Sequence, residues 1–265
     1  ISTIPETGTF FATKVVVPVL IGVLLIAAFV PWALNRRNNH PLIDLRLFQN
    51  RNMTIAVLAM SLFAIAFFGA GLLFPLYFQQ VRGEDALHAG LLLAPQGFGA
   101  MVTMPIAGVL ADKIGPGKIV LTGIAIITIG MSMFSTLSDT TSYGFLLASL
   151  FVMGLGMGGT MMPIMSAALA TLREHTIARG STLMNIVQQV AASIGTAVFT
   201  VLLTNGLQDK LTSSTPPDEV NSVTASAYGD VFVVAAVLVA LVLVPAFFLP
   251  RKKLAEVDPT VLVGH

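Results

Sequence analysis

Seven stretches of this chain contain no Asp, Glu, Lys or Arg: 15–35, 52–81, 86–111, 119–138, 140–172, 180–208 and 231–250. Each is at least 20 residues long, and a helix needs about 20 predominantly apolar residues to cross the hydrocarbon core of a bilayer. The 14 basic and 13 acidic side chains are therefore confined to the short segments between them. None of the seven shows the two-residue alternation of a barrel strand. With no water to satisfy the backbone in lipid, helices are the expected form. The pattern predicts an all-α integral membrane protein with seven transmembrane helices near 15–34, 53–78, 89–110, 119–137, 143–170, 181–204 and 231–249. Buried helices of a large soluble protein would need polar faces on most of them. A signal peptide over 15–34 would need a shorter apolar core and a preceding basic region.

Composition excludes most other classes. Charged residues make up 10% of the 265 positions, against about a quarter in soluble domains. A net charge of +1 gives no basic footprint for nucleic acid. The chain has no cysteine, so disulfides, thiol catalysis and Cys-ligated metals are ruled out. High hydrophobicity with low net charge is the opposite of a disordered composition.

The loops predict an orientation. Sorting basic residues onto alternate sides puts Arg36, Arg37, Arg46, Arg51, Lys113, Lys118, Arg173, Arg179, Arg251, Lys252 and Lys253 together, and leaves Lys14, Arg82 and Lys210 opposite. Lys and Arg accumulate on the cytoplasmic side, so the C-terminus is expected inside and residue 1 outside the cell membrane. Segment 205–230, with Pro216 and Pro217, reads as the longest external loop. The chain starts Ile1-Ser2-Thr3, and an external tail with no signal sequence leads us to expect an upstream portion.

No formally charged residue lies deep in any predicted span, where such groups mark ion pathways and proton relays. A self-contained pump or channel is hard to build this way, and His88 and His175 read as interfacial. Amides and hydroxyls are more informative. Asn185, Gln188, Gln189, Ser193, Thr196 and Thr200 follow three-and-four spacing, so most share one face of a helix, and Gln96 sits mid-span. Amides can hydrogen-bond neutral or cationic organic molecules without the desolvation cost of a charge. Each could equally serve an interhelical hydrogen bond; the stripe as a whole is expected to line a polar cavity.

Gly154 and Gly158 form a small-xxx-small pair that would let helices approach closely. Pro163 invites a kink, as do Pro75, Pro95 and Pro105. The many Met and Phe residues suit an adaptable apolar pocket, although lipid-facing filler accounts for most.

The connection between the third and fourth spans reads Gly108-Val-Leu-Ala-Asp112-Lys113-Ile-Gly115-Pro116-Gly117-Lys118. It predicts a turn of about eight residues, with Gly108 at a close helix contact. Asp112 would be able to ion-pair or to bond the amides that open the next helix, and Gly115 and Gly117 would adopt unusual backbone angles. This resembles the Gly-x-x-x-Asp-Arg/Lys-x-Gly-x-Arg/Lys-Arg/Lys signature of the major facilitator superfamily, which recurs between the second and third helices of each six-helix half. The match departs at Gly117, where a base is usual. The run from Arg36-Arg37 through Pro41-Leu42-Ile43-Asp44-Leu45-Arg46-Leu47-Phe48 to Asn50-Arg51 is similar to the connector before the second half of the fourteen-helix drug:proton antiporters of the EmrB/QacA type. Residues 180–197 resemble their penultimate helix.

That resemblance implies a division of the chain. Residues 1–14 would be an extracytoplasmic tail, 15–34 an extra linker helix, 35–52 a cytoplasmic connector, 53–250 the C-terminal six-helix half, and 251–265 a cytoplasmic tail. It further implies alternating access to export drugs or amphiphilic organic compounds against proton flow, with no bound cofactor. Proton-coupling acids would belong mainly to the N-terminal half, which would be the partner alongside lipids and small organic substrates. Gln96, Asn185, Gln188 and Gln189 would help line the cavity. Gly108, Asp112, Lys113, Gly115 and Lys118 would form a cytoplasmic latch, and Gly154, Gly158 and Pro163 would serve bending and packing. A membrane sensor or assembly subunit would need a sizeable soluble domain, and an embedded enzyme would need clustered catalytic groups at one depth. Neither pattern is present in the sequence, so no enzyme and no metal site are expected.

Overall fold

A computed structural model describes residues 45–249 except 170, 171, 173 and 212–215. The predicted linker helix at 15–34, most of the connector and the C-terminal tail lie outside these residues. Among the described residues every regular element is helical, and six helical segments are long and apolar enough to span a membrane. They are α1 (Arg51–Gln80), α2 (Ala86–Ile114), α3 (Pro116–Ser135), α4 (Tyr143–Leu169), α5 (Thr176–Lys210) and α6 (Val220–Phe247). Short connections make consecutive spans antiparallel, so the bundle has one side marked by Gly83 and another by Gly115.

The spans start and stop for local reasons. Asn50 caps α1 by accepting from the backbone amides of Asn52 and Met53. Asp85 caps α2, accepting from the His88 amide at 2.7 Å. That amide and then the His88 ring hold the Asp85 carboxyl below its usual range. Ser142 caps α4.

Within the spans, breaks fall just before prolines. The α1 ladder is interrupted at Leu72, three residues before Pro75, and α4 at Gly159–Thr160, before Pro163. The α6 ladder breaks at Val242, before Pro245, and α2 at Leu93, before Pro95. A proline removes its own N–H and crowds the carbonyl four residues back, so the fault appears one turn upstream. Pro105 sits inside an uninterrupted stretch of α2. In α1 the turn at Ala64–Phe68 is a π-turn.

The packing pairs the two three-helix groups crosswise: α2 lies against α4, and α5 lies against α1, while α3 packs on both α4 and α6. Glycines make the crosswise contacts possible. A Cβ on Gly69 would stand 2.6 Å from the Gly195 carbonyl carbon, where α1 crosses α5. A Cβ on Gly99 would stand 2.8 Å from the Leu155 nitrogen, where α2 crosses α4, and one on Gly123 would stand 2.8 Å from the Gly156 oxygen between α3 and α4. In lipid, where apolar surface gains nothing by leaving the solvent, close backbone approach is a main source of helix association.

Aromatic rings fill the space toward the Gly83 side. Phe74 of α1 stacks on Phe232 of α6 at 4.9 Å and meets Phe134 of α3 edge-on at 5.0 Å. The Tyr77 hydroxyl donates to the Ser138 carbonyl at 2.8 Å, and the Tyr228 hydroxyl donates to Gln80 at 2.8 Å. Arg82 donates to the Asp139 carbonyl while its guanidinium lies 4.6 Å over the Tyr143 ring, whose hydroxyl donates to Glu84 at 2.5 Å.

Two connections differ from the sequence expectation. The loop expected over 205–230 is shorter, because α5 continues to Lys210 and α6 begins at Val220. The charges that seemed to mark a loop are carried on the helices themselves: Lys210, the last residue of α5, reaches Asp230 at 2.5 Å and Ser226 at 2.7 Å, both inside α6. The turn expected to take about eight residues takes one: α2 runs to Ile114, Gly115 adopts φ +94°, and Pro116 opens α3. A left-handed glycine followed by a proline whose fixed φ suits a first helical turn reverses the chain in minimal length.

Candidate functional site

The α5 amide stripe is where the spacing put it, and it faces outward. Asn185, Gln189 and Ser193 are exposed and Gln188 is half-buried. The hydroxyls bond along their own helix: Ser193 donates to the Gln189 carbonyl, Thr196 to Ala192, Thr200 to Thr196 and Thr204 to Thr200, at 2.7 to 3.0 Å. Such back-bonding satisfies a hydroxyl at membrane depth without a second helix. Interhelical hydrogen bonding therefore does not explain the stripe's hydroxyls within this bundle. Gln96 is half-buried on α2. Because α2 packs on α4 and α5 on α1, Gln96 and the α5 amides lie on separate helix pairs.

The glycine pair of α4 meets α2 directly. A Cβ on Gly154 would collide with the Gln96 carbonyl oxygen, and one on Gly158 would stand 2.8 Å from the Ala100 oxygen and closer still to the Thr103 hydroxyl. Thr103 itself donates to the Gly99 carbonyl at 2.9 Å, so its hydroxyl is satisfied at the crossing. Pro163 is buried one turn beyond the α4 break. Gly154 and Gly158 thus stand at close backbone approaches of α4 to α2, and Pro163 follows the break in α4.

The residues of the Gly108–Lys118 motif behave differently from expectation. A Cβ on Gly108 would meet nothing within 4 Å, so the close helix contact expected there is not made among the described residues. Asp112 does not cap α3; no side chain does. It sits in the last turn of α2, exposed, too early in the chain for its carboxylate to serve the amides that follow Gly115. Gly117 is buried in the first turn of α3 and lies outside the left-handed region, which only Gly83 and Gly115 occupy among the described residues. Lys113 and Lys118 are exposed on either side of the turn.

Beside Asp112 the α2–α4 pair separates. A cavity of about 300 Å³ opens between them, walled by Ala111, Met162, Pro163, Met165 and Leu169, with Asp112 and Ser166 as its polar groups. Apart from Pro163, no residue pattern signals this cavity, because it depends on which helix α4 faces. The Gly69–Gly195 crossing and the Tyr77, Arg82 and Tyr143 contacts were likewise not expected from sequence. His88 lies exposed in the first turn of α2, its Nδ1 3.0 Å from Asp85, as an interfacial histidine should. The His175 side chain is outside the described set.

Comparison with known proteins places this architecture. The family model described as Major Facilitator Superfamily matches residues 8–196. The chain is 40% identical over 283 aligned positions to a Mycobacterium tuberculosis protein named multidrug resistance protein B homolog, covering 96% of this chain and 52% of that protein. It is 29% identical to the Escherichia coli multidrug export protein EmrB, covering 76% of this chain and 39% of that protein. In fold it resembles the crystal structure of the Escherichia coli fucose:proton symporter, with a TM-score of 0.54 at 20% identity over 77% of this chain and 50% of that one. The chain spans about half the length of the relatives first matched. A multi-pass bundle of crosswise-paired three-helix groups and a match over most of the sequence agree: this chain belongs to the major facilitator superfamily of membrane transporters.

Proposed function

We propose that this chain is the C-terminal part of a proton-coupled secondary exporter of drugs or amphiphilic organic compounds, working by alternating access. The observation that carries the reading is the outward amide face of α5, where Asn185 and Gln189 are exposed. Polar side chains at membrane depth are costly against lipid and favoured against a water-filled path or another helix bundle. A second bundle facing α2 and α5, the two spans least buried within this one, would enclose that face. Binding sites of such transporters lie near the midplane between repeats. The relatives named for multidrug resistance and export support the substrate class.

In this reading Gln96, Asn185, Gln188 and Gln189 contact substrate. The segment Gly108–Lys118 acts as a latch that favours one state, with Asp112, Lys113 and Lys118 as its charged groups. Residues 1–14, 15–34, 35–52, 53–250 and 251–265 are then tail, linker helix, connector, transporter half and tail. Among the described residues, Arg51, Lys113, Lys118 and Arg179 lie on the Gly115 side, and Arg82 and Lys210 on the Gly83 side. That bias supports a cytoplasmic Gly115 side in the cell membrane.

The test is accumulation of a lipophilic cationic dye in cells expressing the full-length protein. Accumulation should fall, and a protonophore should restore it. Unchanged dye levels would refute export. Gln188→Ala and Gln189→Ala should alter relative potency among substrates, whereas a uniform change would assign them to packing. Asp112→Asn should impair transport while leaving expression near wild type; full transport in that variant would remove the latch role.

A further inference from the structure

We propose that the crevice between α2 and α4 on the Gly115 side is a second, peripheral site that takes hydrophobic organic cations, with the Asp112 carboxylate as counter-charge. This rests on the exporter reading above and names a place of entry that the central amide face does not provide. The crevice holds about 300 Å³, at the lower end of what small-molecule sites enclose. Its walls are soft and apolar: Met162 and Met165 can repack around differing shapes, while Pro163 and Leu169 give fixed surface.

Charge selects the occupant. Among the described residues the Asp112 carboxylate makes no hydrogen bond or ion pair, and no basic residue lines the crevice. Lys113, adjacent in sequence, points elsewhere, because neighbours one position apart on a helix do not share a face. The Ser166 hydroxyl is the other polar group lining the crevice. An apolar cleft with one unpaired carboxylate at its mouth attracts a cation carrying apolar groups and repels an anion of the same shape. The position of Asp112 in the last turn of α2 keeps the ion pair at the depth of the headgroups, where the cationic centre retains part of its hydration. The apolar substituents can then enter the cleft.

Two features of the fold create the site. The α4 break at Gly159–Thr160 turns the end of that helix away from α2, directly after the tight Gly154 and Gly158 contacts. On α2, Gly108 offers no side chain to fill the gap, and a Cβ there would meet nothing within 4 Å.

The test uses a single-cysteine reporter in the full-length protein freed of any other cysteine; this chain contributes none. Ser166→Cys, in lipid nanodiscs, is alkylated with N-ethylmaleimide in the presence of tetraphenylphosphonium or its isosteric anion tetraphenylborate. Tetraphenylphosphonium should slow alkylation at least about fivefold and tetraphenylborate should not. Adding Asp112→Asn should weaken the cation's half-protecting concentration by about tenfold, which corresponds to about 1.4 kcal/mol. Asp112→Glu should restore it to within about threefold of wild type. Equal protection by both ions, protection unchanged by Asp112→Asn, or a cysteine unreactive without ligand would each overturn the site. The last would mean that protein fills the crevice. Efflux of the same cation, measured in cells with wild-type protein, reports on the exporter reading separately. Efflux without protection sinks only the crevice, and protection without efflux sinks the exporter.

Discussion

The two sides of this bundle are held by different means. Toward Gly83, rings from α1, α3 and α6 interlock, Tyr228–Gln80 ties α6 to α1, and Tyr77–Ser138 and Tyr143–Glu84 tie spans to the connecting loops. Toward Gly115, α2 and α4 part company after a glycine-lined contact and leave a cavity. The same helix pair is thus tight at Gly99–Gly154 and open at Gly108–Ser166. The difference comes with the α4 break ahead of Pro163 and with Gly108 on α2, which offers no side chain to close the gap. A bundle built this way is stiff at one end and adjustable at the other.

The sharpest way to break the contrast is Gly154→Leu. No rotamer clears the Gln96 carbonyl, so the α2–α4 contact must open along its length. We expect a loss of about 3 kcal/mol or more, read as failure to accumulate or a large drop in the thermal midpoint of the purified protein. Phe74→Ala tests the stiff end. Soluble cores lose about 3–5 kcal/mol for such a change, and the figure here should sit at or just below the lower bound, because surrounding lipid is already apolar. The result would be checked by denaturant unfolding in mixed micelles. Tyr77→Phe removes the hydrogen bond from α1 to the loop between α3 and α4 and should cost about 0.6–1 kcal/mol in the same measurement. At the open end, Gly108→Ala should be neutral or stabilising by up to about 0.5–1 kcal/mol, since the added methyl meets nothing and favours helix. Destabilisation there would mean that the gap is filled by a close neighbour.

Acid should be felt weakly and on the Gly83 side. The Asp85 carboxyl is held below its ordinary range, first by the His88 amide, so the cap contributes above the unfolded pKa. That contribution disappears as pH falls through the lowered folded value. Amide exchange at residues 86–89 should quicken over that interval; unchanged protection would deny the cap its role.

Much of this was legible in the sequence, and the misses have a common cause. The six described spans lie where charge-free stretches put them, because lipid excludes ions over a fixed thickness. The largest misjudgements lie at one connection: α5 runs on to Lys210 and α6 starts at Val220, ahead of Asp230, since a charged side chain at the interface costs a helix little. Around Gly115 the motif announced a turn, yet its single-residue length depends on φ +94° at Gly115 and cannot be read from letters. Gly154 and Gly158 announced a close contact without naming Gln96 or Ala100 as the partner. The Asn185–Gln189 stripe was legible as periodicity. Which way it points was not, because that is decided by α1 occupying the opposite face through Gly69 and Gly195.

The back-bonded hydroxyls of α5 carry a chemical consequence. A serine or threonine has one proton to give and two lone pairs to offer. Ser193, Thr196, Thr200 and Thr204 have each committed that proton to a carbonyl of their own helix. What they can still present is electron density. In the exporter reading, a guest meeting this ladder of oxygens would find acceptors at every rung and donors only at the amides of Asn185, Gln188 and Gln189. On that reading the ladder would favour molecules that bring their own N–H or O–H hydrogens over those that bring only carbonyls.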